Sequence, residues 1–430
     1  MDFKTLGVAK ALARRCEAMG IESPTEIQKL CIPAMLSGKR VLGIAETGSG
    51  KTLSFTLPML TELQKDPYGI FGLILTPTRE LAIQIEEHIT AIGYPFKVSV
   101  ATVIGRTDMT EQSREIDKRP HFIVATPGRL ASMIQSPHIS TCFKHCRYLI
   151  LDEADRLLSD DFSEDFNTIL DHLPPKDQRE THFFTATKTE LLENLAKQSD
   201  MTVCDCSGSE SIKLPSTLSH SRIDMARHHA RYANLVQLLL DPVEADKQAI
   251  VFANSCLEVE TVCRVLRELG FPATQLHGNL PQRTRTSNLN SFRSAKNKVL
   301  VATDVAARGL DIPNVAMVVN FDLPPTSRAS DYIHRVGRTA RIGMLGTAVT
   351  LLKTQDREVM DLIEEMIGRP VEALAGKALA EHEEKVIELL PKVTAAMADV
   401  KRRMLEGGQA EEMDRLTARR GVKRAGKKRD

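Results

Sequence analysis

The run Ala45–Thr52 has the composition of a loop that binds phosphate groups. Its residues are Ala45, Glu46, Thr47, Gly48, Ser49, Gly50, Lys51 and Thr52. Glycines let successive backbone N–H groups wrap around an anion, a lysine reaches the terminal phosphates, and a Ser or Thr hydroxyl ligates Mg²⁺. The run continues the apolar segment 41–45, so we predict a turn from a strand into a helix whose positive end faces the phosphates. An ordinary Gly-rich turn is the alternative, and the position after a strand disfavours it.

An acidic run follows a second apolar segment. Tyr148–Leu151 leads into Asp152, Glu153, Ala154 and Asp155. Because the carboxyl ends of parallel strands meet at one edge of a sheet, we expect Asp152 beside the phosphate loop, where it would hold Mg²⁺ directly or through water. Glu153 would polarise the water that attacks a terminal phosphate. Acidic residues at a helix start usually only offset the helix dipole, but their pairing with the loop favours nucleotide hydrolysis.

The third chemical signal is the basic run 332–341, YIHRVGRTAR, in the second half of the chain. Its arginines, Arg335, Arg338 and Arg341, are three residues apart, which predicts one helical face that presents guanidinium groups to a phosphate. The phosphate loop lies in the first half, so these arginines would act only when the two halves close. A solvated basic helix face is the alternative interpretation.

Short apolar runs alternate with longer amphipathic ones along most of the chain, which predicts βαβ units and parallel sheets. The predicted strands are Val41–Ala45, Phe71–Leu75, Val98–Val103, Phe122–Ala125, Tyr148–Leu151, His182–Phe184, Ala249–Phe252, Ala273–Leu276, Lys298–Ala302, Ala316–Asn320 and Thr347–Leu351. The predicted helices are Ser54–Gln64, Arg79–Ile92, Leu257–Leu269 and Gln282–Phe292. We predict one domain over 1–206, a Ser- and Gly-containing linker over 207–217, a second domain over 218–368 and a helical extension over 369–430, with a long helix Ala378–Leu405 broken or kinked at Pro391.

Composition narrows the class of protein. The chain has 430 residues, is 42% hydrophobic and 26% charged, and carries a net charge of +1, so we expect a well-cored protein rather than a disordered one. Residues 401–430 hold 11 Lys or Arg against 5 Asp or Glu, so a nucleic-acid partner would meet a local groove and this tail. The eight cysteines lack zinc spacing and are expected to be free thiols. No signal core or membrane span is visible, which predicts a soluble intracellular protein.

Together these segments resemble the DEAD-box RNA helicases, with matches in order from Phe3 to about Gly346. The resemblance implies an α/β fold of two tandem RecA-like parallel-sheet domains (the P-loop NTPases of helicase superfamily 2), followed by a helical and basic C-terminal extension. It implies ATP and Mg²⁺ as cofactors, with Thr52 and Asp152 at the metal. The catalytic residues that it implies are Lys51, Asp152, Glu153, His334, Arg338 and Arg341.

The resemblance also implies roles for the remaining matched segments. Phe3, Thr25 and Gln28 resemble the segment that reads adenine, with Gln28 bonding the base. Gly309 would also belong to the nucleotide site, and Asp311 would touch the ribose. Thr185 and Thr187 match the segment that couples ATP to unwinding. The implied RNA contacts are Pro77, Thr78, Arg79, Gly105, Arg106, Thr126, Pro127, Gly128, Arg129, Gly278 and Thr303. With no Trp and 5 Tyr for base stacking, we expect the RNA to be held mainly through its backbone and 2′-hydroxyls.

Three positions depart from the family pattern. Thr185 stands for the usual Ser and keeps the hydroxyl. Arg106 stands for a usual Gly, which would remove one close backbone approach or add a phosphate contact. Ala340 stands for a usual Gly, which implies that this site does not require a glycine-only conformation.

We therefore expect an ATP-dependent RNA helicase whose ATP hydrolysis is stimulated by RNA. The variant TAR at 339–341 and the opening DFKTLGVAKAL resemble nucleolar members that assemble the small ribosomal subunit. That resemblance implies a nuclear and nucleolar monomer that acts on pre-rRNA within a pre-ribosomal particle, with a protein activator and no membrane contact. The tail 419–430 fits a targeting signal, an RNA tether or a solvated end. The rivals are an ATP-gated RNA clamp with slow turnover and a DNA helicase.

Overall fold

The computed structural model describes residues 2–46, 48–206, 214, 217–225, 230–304, 315–340 and 344–406. These residues divide into two compact units, and each is built around a parallel sheet of seven strands. This confirms the predicted α/β fold class. Within the described ranges, no helix combines the length and apolar character that crossing a membrane requires.

The first unit alternates strands and helices. Its strands are β1 Val41–Ile44, β2 Gly72–Leu75, β3 Val100–Val103, β4 Phe122–Ala125, β5 Tyr148–Asp152, β6 Glu180–Thr185 and β7 Thr202–Asp205. Its helices are α1 Lys10–Ala18, α2 Glu26–Leu36, α3 Lys51–Leu63, α4 Arg79–Gly93, α5 Met109–Asp117, α6 Pro127–Ile134, α7 Pro137–Ser140, α8 Ala154–Leu157, α9 Ser163–Leu170 and α10 Glu190–Gln198. Short 3₁₀ turns lie at Tyr94–Phe96, Thr141–Phe143 and Asp160–Phe162.

The strands of this unit lie in the order β3-β4-β2-β5-β6-β1-β7. Both faces of the sheet are covered: Val41 and Ile74 belong to one apolar cluster, while their neighbours Leu42 and Leu73 belong to another. Burial on both faces is why these strands form continuous apolar runs in the sequence. Because all strands are parallel, the loops after β1, β5 and β6 share one half of an edge, and the loops after β2, β3 and β4 share the other half.

The second unit repeats this plan. Its strands are β8 Leu218–Met225, β9 Ala249–Phe252, β10 Ala273–Leu276, β11 Val299–Ala302, β12 Met317–Asn320, β13 Gly346–Lys353 and β14 Glu372–Ala373. Its helices are α11 Ala230–Glu244, α12 Cys256–Glu268, α13 Gln282–Arg293, α14 Asp331–Val336, α15 Arg357–Ile367 and α16 Gly376–Glu406, with 3₁₀ turns at Thr326–Arg328 and Thr354–Asp356.

Strand order shows that the two units share one topology. The second sheet runs β10-β11-β9-β12-β13-β8-β14, which is the order of the first sheet once the strands of each unit are counted from its own start. This shared strand order is not visible as a repeat in the amino-acid sequence, because two sheets can have the same strand order while their side chains differ. The segment after β8 is ARHH, residues 226–229, so a glycine-rich phosphate loop occurs only after β1.

All eleven predicted strands are present, with ends that differ by up to two residues. Three strands were missed: β7, β8 and β14. Each lies toward one side of its sheet, where burial is incomplete and polar residues interrupt the apolar run. The predicted linker 207–217 and the tail 419–430 lie almost wholly outside the described residues, so the domain boundaries stay a prediction.

The predicted long C-terminal helix is present as α16, Gly376–Glu406. Of the two alternatives at Pro391, a break or a kink, the break is absent, because the helix continues through the proline. A proline in a helix removes one backbone bond, and packing makes up for the loss. The buried side chains Val386, Val393, Ala396, Val400 and Met404 form a stripe that packs against α11 and α12.

Candidate functional site

The phosphate loop forms a tight turn between β1 and α3. Gly48 and Gly50 have φ angles of +86° and +92°, a left-handed conformation that is cheap only for glycine. The Lys51 ammonium donates to the carbonyl oxygens of Ala45 and, at 2.9 Å, Glu46. The ammonium group thus lies over the loop. Burial lowers the pKa of Lys51, and the negative charges of Asp152 and Glu153 oppose that effect. Thr52 follows in the first turn of α3, and Thr47 lies outside the described residues.

Gln28 joins the start of α2 to this loop. Its Oε1 accepts from the Thr25 backbone N–H at 2.9 Å, and its Nε2 donates to the Gly50 carbonyl oxygen at 3.1 Å. Thr25 and Gln28 form a capping box that fixes the start of the helix. Each polar atom of the Gln28 amide keeps capacity for one further bond, so a role in reading a base stays open. Phe3 is buried in the adjoining apolar cluster and is 2% exposed.

The carboxylates at the end of β5 lie next to the loop. Burial first, and then the charge of Glu153, raises the pKa of Asp152 to about 7, while Lys51 opposes the rise. Within the described residues, the Asp152 carboxylate accepts one hydrogen bond, from the Glu153 backbone N–H at 3.2 Å. A buried carboxylate with so few partners suits a cation. Ser49 Oγ in the loop is also buried and has no hydrogen-bond partner among the residues that the structure describes.

These observations fit Mg²⁺, which is typically held by one or two protein groups together with water and substrate phosphates. Asp152 and Thr52 are the side chains present that would hold it. A dedicated protein cage is not required, and the described parts of the chain contain no group of three or more His, Cys, Asp or Glu arranged to hold a metal.

A hydrogen-bonded link joins the ends of β5 and β6. The Thr187 hydroxyl donates to the Asp155 carboxylate. Thr185 Oγ1 donates to the Thr187 carbonyl oxygen at 3.0 Å and accepts from the Thr187 N–H at 3.2 Å. Both threonines are buried. The link connects the strand that carries Asp152 and Glu153 to the next loop along the sheet edge.

The predicted RNA contacts of the first unit lie on the other half of the same edge. Arg79 begins α4, whose N-cap Thr78 accepts from the Leu81 N–H at 3.3 Å. Arg79 donates to the Gly105 carbonyl oxygen at 3.4 Å, and Arg129 donates to the Thr107 carbonyl oxygen at 3.1 Å. The loops after β2, β3 and β4 are thereby tied together. Pro77 is buried behind them.

The backbone of these loops limits how closely a ligand can approach. Arg106 has a φ of +67°, so an arginine adopts a left-handed conformation that glycine would adopt at less cost. A Cβ on Gly105 would meet nothing within 4 Å, whereas one on Gly128 would lie 3.2 Å from Asp165 Oδ2. Thr126 is the N-cap of α6, and Pro127 is its first residue. Gly105 therefore borders open space, and Gly128 faces a carboxylate.

In the second unit, Arg335 organises the carboxyl edge of the sheet. The Arg335 side chain is 1% exposed. It donates two hydrogen bonds to the Asp304 carboxylate, one of them 2.7 Å long, and a third to Asn254 Oδ1 at 3.0 Å. It also donates to the Asp322 carbonyl oxygen. These partners follow β11, β9 and β12. Gly278 and Thr303 follow β10 and β11 at the same edge, where the Thr303 N–H donates to the Leu276 carbonyl oxygen at 3.1 Å.

The structure corrects one prediction about the basic run and excludes its alternative. Arg335 and Arg338 do not share a helical face, because α14 ends at Val336 and Arg338 lies beyond it. Nor is this a solvated basic face, since Arg338 is 1% exposed. The turn after α14 is held by an isolated β-bridge between Val315 and Thr339. The Thr339 side chain adds a second link, because its Oγ1 donates to the Val315 carbonyl oxygen at 2.5 Å. His334 is partly buried on α14. Arg341, Gly309 and Asp311 lie outside the described residues.

The conformation of Ala340 agrees with the expectation that this site is open to residues other than glycine, and it adds a cost. Its φ is +55°, in the left-handed region that glycine occupies more cheaply than alanine, at a difference of about 1 kcal/mol. The site therefore does use a conformation that favours glycine, and alanine adopts it at a cost. The backbone is held there by close contact with β13, since a Cβ on Gly346 would lie 2.4 Å from the Ala340 nitrogen.

Two residues have contacts that the sequence does not predict. Asp155 stands out in the sequence only as part of the acidic run, and in the structure it accepts the Thr187 hydroxyl. The spacing of Arg335 predicts a guanidinium group offered to a phosphate, and in the structure it holds three strand ends together. No local signal separates Arg335 from Arg338, because their different roles depend on where α14 ends.

Comparisons with known proteins agree with this geometry. The DEAD/DEAH box helicase family matches residues 25–195, and the helicase conserved C-terminal domain matches residues 230–343. The chain is 43% identical to the ATP-dependent RNA helicase DBP8 of Lodderomyces elongisporus, over 92% of this chain and 90% of that protein. It is 44% identical to the probable ATP-dependent RNA helicase ddx49 of Dictyostelium discoideum, over 86% of this chain and 72% of that one.

Two solved structures are similar over most of the chain. One is S. cerevisiae Dbp5 bound to RNA and ADP BeF3, with 25% identity, a TM-score of 0.78, and coverage of 90% of this chain and 99% of that one. The other is Mss116p bound to ssRNA and AMP-PNP, with 26% identity, a TM-score of 0.77, and coverage of 95% of this chain and 85% of that one.

Proposed function

Because this chain belongs to the DEAD-box family of ATP-dependent RNA helicases, we propose that its first unit hydrolyses ATP at the loop 45–52 while RNA binds the loops after β2, β3 and β4. One observation carries the proposal: both sets of residues lie on one edge of one sheet, where β2 and β5 are neighbours. The carboxylates at the end of β5 therefore lie next to the RNA loop after β2, while β5 and β6 separate that loop from the phosphate loop after β1.

Within this mechanism, Lys51 binds the terminal phosphates of the substrate ATP, and Glu153 accepts a proton from the attacking water. Mg²⁺, held by Asp152 and Thr52, would neutralise phosphate charge. Arg338, together with His334 and Arg341, stabilises charge on the γ-phosphate once the two units close on ATP and RNA. Thr185 and Thr187 couple the state of this site to RNA. An arginine delivered to the phosphate in this way accelerates hydrolysis by ~10³–10⁵.

The test is the ATPase rate with and without single-stranded RNA, duplex RNA and DNA of the same sequence. We expect stimulation by RNA that is lost in Arg338→Ala and retained in Arg357→Ala, an exposed arginine of the same unit. Retained stimulation in Arg338→Ala would remove the proposed role of that arginine. Equal stimulation by DNA would favour a DNA helicase.

Glu153→Gln separates a cycling enzyme from an ATP-gated clamp. This variant should bind ATP and RNA but stop hydrolysis. A cycling helicase loses multiple-turnover unwinding in this variant, whereas a clamp keeps its biological function. The intact Glu153 favours turnover, since a clamp does not require a residue that activates water.

We further infer that the RNA is pre-rRNA, and that the protein acts in the nucleolus as a monomer within a pre-ribosomal particle with an activating protein. The relatives named DBP8 and the basic tail, with seven basic residues in 419–430, support this inference. Crosslinking the Glu153→Gln variant to RNA in cells, followed by sequencing, should recover pre-rRNA. Deleting residues 419–430 should reduce nucleolar accumulation; unchanged localisation would leave the tail as an RNA tether or a solvated end.

A further inference from the structure

Three cysteines meet in the first unit beside the phosphate loop. Cys31 lies on α2, Cys204 on β7 and Cys206 just after it. Cys31 and Cys204 belong to one buried apolar cluster, and Cys206 packs against that cluster. All eight cysteines are free thiols, so these three are reduced neighbours.

Strand register brings two of the sulfurs together. On β1, Gly43 is the partner of Cys204 on β7, and in-register residues of parallel strands point to the same face. Gly43 has no side chain, and a Cβ there would lie 3.2 Å from Cys31 Sγ. The Cys31 thiol therefore fills the space above Gly43, on the face of the sheet to which the Cys204 side chain points.

We propose that Cys31 and Cys204 form an oxidisable dithiol, which a peroxide converts to a disulfide that joins α2 to β7. Pairing of the two thiols lowers the pKa of Cys204 although burial acts in the opposite direction, and pairing and burial both raise the pKa of Cys31. The pair as a whole can therefore lose a proton and supply one thiolate. By contrast, burial raises the pKa of Cys146 to about 12 and that of Cys263 to about 11, and neither has such a neighbour.

The chemistry balances with hydrogen peroxide as the oxidant. The thiolate of one of the two cysteines attacks one peroxide oxygen, which forms a sulfenic acid and releases hydroxide. The sulfur of the other cysteine then attacks the sulfenic sulfur, so that an S–S bond forms and the S–O bond breaks. The two thiols lose two electrons and two protons in all, and the peroxide becomes two molecules of water. Cys206 is half-buried, so the cluster reaches solvent on its side.

The disulfide would act on two neighbouring elements. The two sulfurs must come within about 2.05 Å of each other to bond, which draws α2 toward β7. Gln28 lies one turn before Cys31 on α2 and donates to Gly50. The Cys206 N–H donates to the Ile44 carbonyl oxygen at 2.8 Å, immediately before the phosphate loop. We therefore expect the disulfide to raise the KM for ATP, a consequence that rests on the proposed role of Gln28.

The test uses the full-length protein, reduced and then treated with hydrogen peroxide. Remaining thiols are alkylated, and peptides are identified by mass. We expect a peptide pair joined by Cys31 and Cys204, absent after dithiothreitol and absent in Cys31→Ser and in Cys204→Ser. Cys263→Ser and Cys206→Ser are the controls and should keep the crosslink. Full alkylation of Cys31 and Cys204 after peroxide, or a crosslink from Cys31 to Cys206, would overturn the proposal.

Kinetics separate this site from the proposed function. Peroxide should raise the KM for ATP several-fold in the wild type, reversibly, and should leave Cys204→Ser unchanged. A mapped crosslink without any change in KM would support the dithiol and count against Gln28 as an ATP contact. A rise in KM without the crosslink would overturn the dithiol and leave the ATP site as proposed.

Discussion

The side-chain amide of Gln28 donates to the Gly50 carbonyl oxygen at 3.1 Å, and a Cβ on Gly50 would lie 2.2 Å from the same amide nitrogen. Gly50 also has a φ of +92°. The start of α2 and the phosphate loop are therefore fitted to each other at a position that only glycine can occupy.

Gly50→Ala tests this fit. The added methyl group would both strain the backbone and displace Gln28, so we expect ATP affinity to fall by at least about ten-fold, the equivalent of 1.4 kcal/mol. Gly38→Ala is the matched control, because Gly38 also has a positive φ of +75° but nothing within 4 Å of a Cβ. It should lower stability by about 1 kcal/mol and leave ATP binding unchanged. The measurement is nucleotide titration alongside thermal unfolding.

Thr187→Val removes the hydroxyl that donates to Asp155 and keeps the shape of the side chain. If this link couples the ATP site to RNA, duplex unwinding should fall much more than ATP hydrolysis. Thr185→Ser, which keeps its hydroxyl, is the control and should retain both activities. A parallel loss of hydrolysis and unwinding in Thr187→Val would show that the link supports catalysis rather than coupling.

Arg335→Ala would remove the guanidinium group that donates to the buried Asp304 carboxylate. Removing one member of a buried ion pair typically costs 3–5 kcal/mol, so we expect unfolding of the second unit at clearly lower urea concentration. Arg335→Lys should recover only part of the loss, because an ammonium group cannot reach Asp304, Asn254 and the Asp322 carbonyl together. Full recovery in the lysine variant would show that charge alone is needed.

Gly346→Ala tests the contact that holds Ala340. The new Cβ would meet Thr339 Oγ1 at 2.2 Å and the Ala340 nitrogen at 2.4 Å. Since the second contact is with backbone, we expect destabilisation by about 1–3 kcal/mol, together with reduced RNA stimulation of the ATPase, because Arg338 lies two residues before Ala340. Gly278→Ala, where a Cβ meets nothing within 4 Å, should change stability by less than about 0.5 kcal/mol.

His220 makes the second unit sensitive to acid. Burial, with a smaller effect of the nearby Arg369 charge, lowers the pKa of His220 to about 4, and its Nε2 is paired with the Tyr332 hydroxyl. In the unfolded chain a histidine titrates near pH 6.5. As pH falls from about 6.5 to 4, the unfolded state therefore takes up a proton that the folded state does not, and stability is lost.

Urea unfolding between pH 7 and 5 measures this loss, which we expect to be on the order of 1–2 kcal/mol over that interval. His220→Gln does not titrate, so its stability should depend less on pH. His145→Gln, an exposed histidine of the first unit, should follow the wild type. Identical pH profiles for His220→Gln and the wild type would refute this origin of the acid sensitivity.

The amino-acid sequence by itself determined the fold class, eleven of the strands and the phosphate loop. Each of these can be predicted from a short stretch of sequence. Apolar runs predict strands that are buried on both faces, and the spacing of Gly48, Gly50 and Lys51 after a strand predicts a phosphate-binding loop. The strands β7, β8 and β14 escaped this reasoning, because at the side of a sheet a strand does not need a continuous apolar run.

Only the tertiary structure decided how residues distant in sequence are paired. Spacing suggested one helical face for Arg335 and Arg338, but α14 ends between them, so Arg335 holds strand ends while Arg338 follows in the next turn. The left-handed conformation of Ala340 depends on its contact with β13, and the Cys31–Cys204 pair depends on the register of Gly43. Such pairings are set by packing across the sheet, where neighbours in space are far apart in the chain, and no local pattern records them.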